Sequence, residues 1–267
     1  MPPLTRSSFS RRFGRRAVFA MVHLGALPGA PGYGGSLDSV LRRAAADARA
    51  IRNGGADGII VENFGDRPFE KTVGPLTVAA MTRAVRVVIE ESALPVGVNV
   101  LRNDGVSALA IAAATGAAFV RVNVLVGAMV TDQGIIEGSA AAVLRARASF
   151  APEVAVFGDW MVKHATPLGD VDRNQSALDL RHRAMADAIV ISGRATGAAA
   201  DARDLETLRD LLPDAPLILG SGVSRANAKN FPSADAAIVG TSVKRGGDVT
   251  AAVDARRLGA FVVSFKK

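Results

Sequence analysis

The 267-residue chain contains no cysteine, which excludes disulfides, thiolate metal sites and cysteine nucleophiles together. It has one tryptophan and one tyrosine, and no aromatics interleaved with basic residues, so it lacks the stacking platforms that hold single-stranded nucleic acid. No apolar run approaches the roughly 18 residues a membrane span requires. Acidic residues are missing from the first sixteen positions, where Arg6, Arg11, Arg12, Arg15 and Arg16 supply five positive charges. Remove these five from the formal +7 and the remainder carries +2. The basic excess is therefore local rather than spread over a face, which argues against nucleic acid as a partner.

The start of the chain reads as a basic, disordered tail over residues 1–16, followed by one domain over 17–267. Ser10 to Phe13, SRRF, followed by the apolar run Ala17 to Val22, superficially resembles a twin-arginine export signal. His23 interrupts that run and a glycine- and proline-rich loop follows, so an extension in front of a first strand is the preferred reading, and a cytoplasmic location is expected.

From Val18 onward, strand, loop and helix repeat. Strands are predicted at Val18–His23, Gly58–Glu62, Pro95–Val100, Phe119–Val124, Val154–Gly158, Asp187–Ile191, Pro216–Leu219 and Ala236–Val239. Helices are predicted at Leu37–Arg52, Pro75–Glu91, Val106–Thr115, Ser139–Ser149, Ser176–Ala186, Asp204–Leu212 and Arg225–Asn230. That count is the count of a (β/α)8 TIM barrel, and 49% hydrophobic residues can fill its core. An open doubly wound sheet is the competing architecture, but the G-x-G-x-x-G fingerprint after the first strand is missing. The stretch FVRVNV at Phe119 to Val124 is the most telling: Phe119, Arg121 and Asn123 share one face and three valines the other. An edge strand with one solvent face is the alternative there.

In a barrel, residues at the C-terminal strand ends build the active site. Those ends supply His23, Glu62, Asn99, Arg121, Asn123 and Asp159, and the following loops supply Asp132 in TDQG, the LRND loop at Leu101 to Asp104, and Lys163 and His164. Glu62, Asp159 or His164 are candidate proton movers, with Arg121, Asn99 and Asn123 stabilising developing negative charge. A Schiff-base role for Lys163 is a weaker alternative, because it sits in a loop. Gly220, Ser221 and Gly222, with Gly240, Thr241 and Ser242, follow the last two strands, where barrels commonly hold phosphate. Ser192, Gly193 and Gly197 in SGRATG offer a third loop. Ordinary tight turns are the plainer account of these glycines. His23, Glu62, Asp159 and His164 are plausible ligands for a divalent metal ion, although no paired-ligand spacing supports one.

MVHLGALPGAPGY, GIIVENFGDRPFEK, PVGVNVLRND, FVRVNVLVGAMVTDQGIIEG, VKHATPL, ISGRATG, LGSGVS and IVGTSVK, in this order, resemble the BtpA family, also called the photosystem I biogenesis protein family. The resemblance spans about Ala20 to Val263. It implies a TIM barrel of the ribulose-phosphate-binding type and points to the same polar positions without assigning them roles. It also implies a part in accumulating photosystem I in cyanobacteria, on the cytoplasmic side of thylakoids. Relatives in organisms without photosynthesis, including enteric bacteria where one lies among sugar-uptake genes, imply a more general activity. Two functions are therefore carried forward: an enzyme acting on a small phosphorylated metabolite, whether isomerase, lyase or hydrolase, and a non-catalytic assembly factor whose basic tail touches anionic lipid. A homo-oligomer is expected in either case.

Overall fold

The structure, a computed structural model, describes residues 2–162, 164–193 and 201–267. Lys163 and Gly197, both singled out above, lie outside the described residues. Eight parallel strands close into a barrel: β1 (Ala17–His23), β2 (Gly58–Glu62), β3 (Val96–Asn99), β4 (Phe119–Val122), β7 (Ala155–Trp160), β9 (Ala188–Ile191), β10 (Leu217–Leu219) and β11 (Ala236–Val239). Neighbours in the ring follow chain order, and β1 pairs with both β2 and β11. Among the described residues three further strands, β5 (Ala128–Thr131), β6 (Gly134–Glu137) and β8 (Thr166–Pro167), form a small sheet in the order β6-β5-β8.

Strand periodicity divides the core in two. Val18, Ala20 and Val22 of β1, Ile59 and Val61 of β2, and Val120 and Val122 of β4 join the apolar layer that also holds the buried helix faces. Their alternates, Ala17, Phe19 and Met21, Ile60 and Phe119, pack with Phe157, Val190, Ile218 and Ile238 inside the barrel. At Gly97 in β3 a Cβ would lie 2.1 Å from the Phe119 ring, so glycine there is what lets the ring fit.

Around the barrel run α2 (Leu37–Asn53), α3 (Pro75–Ser92), α4 (Gly105–Thr115), α5 (Ala140–Phe150), α6 (Arg173–Leu178), α7 (Ala202–Leu211) and α8 (Ala255–Lys266). Ser36 caps α2 through Ser39 N, and Asp104 caps α4 through Ser107 N. The predicted helix at Ser176–Ala186 is instead α6 running into a π turn at Asp179–Arg183, and the one at Arg225–Asn230 shrinks to a 3-10 turn at Ala228–Asn230. Asn227 explains the second: it accepts from Ser224 N and donates to Gly222 O, which commits the segment to a loop.

The expectation of a disordered tail is corrected. Residues Arg6–Phe13 form helix α1, capped by a reciprocal Thr5/Ser8 box. Phe9 and Phe13, one turn apart, are buried against Phe19, Phe119 and Phe157 inside the barrel. Arg12 donates to the carbonyls of Ala118 and Glu153, Arg16 to those of Phe265 and Pro232, and Arg6 pairs with Asp235 at 2.8 Å. The arginines that suggested a lipid-binding tail largely cap carbonyls and a carboxylate of the barrel itself.

Candidate active site

The inward face of each strand is apolar until its C-terminal end, where the polar residues gather at one mouth. His23 lies beside Glu62 in the β1–β2 register, and Glu62 beside Asn99 in the β2–β3 register. A cavity of about 370 Å³ opens there, lined by His23, Glu62, Phe64 and Arg121 and by both glycine loops, Gly220–Ser224 and Gly240–Ser242.

His23 Nε2 stands 3.8 Å from Glu62 Oε1, and His23 Nδ1 is 3.3 Å from the carbonyl of Val249. That carbonyl can only accept, so Nδ1 carries a proton and Nε2 is left toward Glu62. The ring stacks on Phe64, 4.5 Å between centroids, and the Arg67 guanidinium also lies over the Phe64 ring, 4.3 Å from its centroid. The imidazole is held in one plane by this stack.

Arg121 and Asp159 are both almost fully buried and form a bidentate pair, with Nε and Nη2 each 2.8 Å from the carboxylate. Burial opposes the Arg121 charge, but the contact with Asp159 outweighs it and holds the guanidinium above its ordinary pKa. Asn123 donates to the same carboxylate at 3.0 Å, while Asn99 donates to Asn123 Oδ1 and to the Arg121 carbonyl. Asp159 thus accepts three hydrogen bonds, and Asp159, Asn99 and Asn123 do not line the cavity but hold one another and Arg121 in place. Arg121 keeps one arm, Nη1, without a partner among the described residues, on a side chain that does line the cavity.

The two glycine loops meet opposite this pair. Among the described residues, no protein acceptor takes the backbone N–H groups of Gly222, Val223, Thr241 or Ser242. Backbone donors without a protein acceptor are groups that solvent or a ligand must satisfy, and these four lie on two loops that line one cavity. Gly222 has φ +67°, a conformation that favours glycine, and a Cβ on Gly240 would press to 3.2 Å from His23 Cε1. The Ser242 hydroxyl donates to Val223 O at 2.9 Å, so it staples the two loops together. Thr241 Oγ1 has no protein partner among the described residues. Gly220 allows the Ser192 hydroxyl to approach, since a Cβ there would lie 2.4 Å from Ser192 Oγ. Gly193 N donates to Ser221 Oγ at 3.2 Å, which ties the loop after β9 to the one after β10.

Other expected site residues fall elsewhere. Asp132 is exposed at the tip of the β5–β6 hairpin, whose turn is closed by Thr131 Oγ1 donating to Gly134 O; TDQG is thus a hairpin turn rather than a free loop. His164, with φ +55°, is exposed and lines a neighbouring cavity of about 1090 Å³ together with Ser192 and Gly193. A four-ligand metal set of His23, Glu62, Asp159 and His164 is not assembled: no group of three His, Asp or Glu within ligating reach occurs among the described residues. Arg102, in the LRND loop but not chosen from it, is 5% exposed. Burial lowers its pKa, and Asp159, Asp132 and Glu62 counter that effect, placing its charge close to the mouth. Its signal was faint, because one arginine in a polar loop looks like solvated surface.

No helix among the described residues is long and apolar enough to cross a membrane. A solved structure described as native KDPGal superposes with a TM-score of 0.57 at 14% identity, covering 93% of this chain and 94% of that one. The N-(5'-phosphoribosyl)anthranilate isomerase of Pyrococcus furiosus gives 0.57 at 15% identity, covering 94% and 98%. These likenesses establish the fold, a TIM barrel. In sequence, the photosystem I biogenesis protein BtpA of Synechocystis is 45% identical over 92% of this chain and 86% of its own. An uncharacterised Thermococcus kodakarensis protein is 44% identical over 92% and 93%, and a mitochondrial one of Caenorhabditis elegans 32% identical over 93% and 92%. The BtpA family model matches residues 14–267, which include every strand of the barrel, the His23–Glu62 pair and both glycine loops, and the chain belongs to the BtpA family.

Proposed function

We propose that this chain is an enzyme acting on a small phosphorylated metabolite, a sugar phosphate or a nucleotide-derived compound. The observation that carries the reading is the cavity in which two glycine loops present four N–H groups, without a protein acceptor among the described residues, facing an acid–base pair. A phosphate oxygen accepts such donors readily, and glycine at Gly222 and Gly240 lets it approach the backbone. His23 and Glu62 then stand beside the bound ligand as the groups that move protons. The phosphorylated-sugar enzymes among the fold neighbours support the class of ligand and no particular reaction.

The test is a thermal-shift titration with inorganic phosphate and a panel of sugar monophosphates. A ligand at 100 times its dissociation constant adds about 2.7 kcal/mol to the stability. The midpoint is expected to rise, and Thr241→Val, which removes one hydroxyl and keeps the shape, is expected to weaken binding about tenfold. No shift with any phosphorylated compound would overturn the reading.

The Synechocystis relative's name supports an assembly role as the second reading. The feature that favoured it in this chain, a free basic tail, is replaced by helix α1 closing the barrel.

A further inference from the structure

From the placement of charge around the mouth we infer that the reaction is proton transfer at a carbon next to a carbonyl, on a small monophosphorylated aldose or ketose. This rests on the phosphate reading above and narrows it. In the closed ring β11 and β4 lie on opposite sides, with three strands between them either way, so the Gly240–Ser242 loop faces Arg121 across the cavity. His23 and Glu62, on β1 and β2, lie on the arc between. A ligand with its phosphate on the glycine loops therefore runs past the acid–base pair and ends at Arg121.

The end at Arg121 selects for a particular group. The guanidinium is paired bidentately with Asp159, so the two together carry no net charge. A carboxylate or second phosphate would meet the buried Asp159 charge as well as the arginine and gain little. A carbonyl oxygen is different: it accepts from Nη1 while neutral and more strongly as negative charge develops on it. The volume of about 370 Å³ lies near the lower end for ligand sites, which suits one phosphate and a short carbon chain and leaves no room for a dinucleotide.

The step balances as follows. The Glu62 carboxylate takes the proton from the carbon beside the carbonyl, and the C–H electron pair becomes the C=C bond of an enediol(ate). The carbonyl π pair moves to oxygen, which is held by Arg121 Nη1. The proton returns from Glu62, or by way of His23 Nε2 at 3.8 Å, to a carbon of the enediolate, and no oxidant or reductant is consumed.

The experiment incubates the full chain in D2O with C3 to C6 aldose and ketose monophosphates and follows the proton adjacent to the carbonyl by NMR, with inorganic phosphate binding measured in parallel. Loss of that signal is expected for at least one compound, slowed at least 100-fold in Glu62→Gln while phosphate binding persists. If phosphate binds and no compound exchanges, the carbon-acid inference falls and the phosphate reading stands. If exchange proceeds unchanged in Glu62→Gln, the assignment of the base is overturned. If neither phosphate binding nor exchange is seen, both readings fall.

Discussion

Asp159 accepts from Arg121 Nε, Arg121 Nη2 and Asn123 Nδ2, all within 3.0 Å, at a position 5% exposed. Replacing it by asparagine leaves a buried guanidinium facing a neutral amide, a loss of about 3–5 kcal/mol when such a pair is broken from one side. Urea denaturation of Asp159→Asn is expected to show that loss, and Arg121→Met/Asp159→Leu to recover most of it, because the double variant strands no charge. Phosphate binding should survive in the double variant, since the glycine loops do not touch the pair. Retained stability in Asp159→Asn would mean that the guanidinium is solvated from the cavity instead of being held by the carboxylate. The sequence placed Arg121 and Asp159 on inward faces correctly, because period two is a local property. Which neighbours take the Asp159 oxygens was not legible, because that is decided through space.

Helix α1 was read as a disordered tail, and the reason is its composition. Six of its eight residues are arginine or serine, and an eight-residue helix is too short to be stable alone. Its stability comes from Phe9 and Phe13, spaced one turn apart, entering a cluster of three barrel phenylalanines. Phe9→Ala is expected to cost about 3–5 kcal/mol in chemical denaturation, as for other large-to-small changes in a packed core. A loss near zero would show that α1 is not docked in solution. The β5–β6 hairpin was hidden for a related reason. Met129 and Ile136 are buried with Val124 and Val162, a cluster that exists only once the loops after β4 and β7 have come together.

At the scale of the whole molecule, pH stability carries a mark of one buried cation. Lys244, fully buried behind the loop after β11, has its ammonium 3.7 Å from Asp47 of α2. Desolvation lowers its pKa below 10.5, with the Asp47 charge opposing the shift. The unfolded chain therefore binds more protons than the folded one between that lowered value and 10.5, and stability contributed by this group rises with pH across the window. Urea midpoints measured from about pH 8 to about pH 10 are expected to rise less steeply in Lys244→Met than in the parent. Equal slopes would show that the ammonium is solvated in the native chain. Asp47 also accepts from Val253 N, so the pair anchors the segment carrying the Val249 carbonyl that orients His23.

Local chemistry alone determined much of this protein. Alternation assigned the two faces of each strand, the repeat of strand and helix gave the barrel, and strand ends yielded His23, Glu62 and Arg121 as residues of one mouth. Tertiary closure decided the rest. It set the loop at Gly240 opposite Arg121, brought the glycine loops of β10 and β11 to the wall of one cavity, drew the N-terminal phenylalanines into the floor, and left Asp132 and His164 outside that cavity. Side-chain direction follows from φ and ψ at the residue itself, whereas the partner of a buried charge depends on elements tens of residues away, and no local pattern encodes that distance.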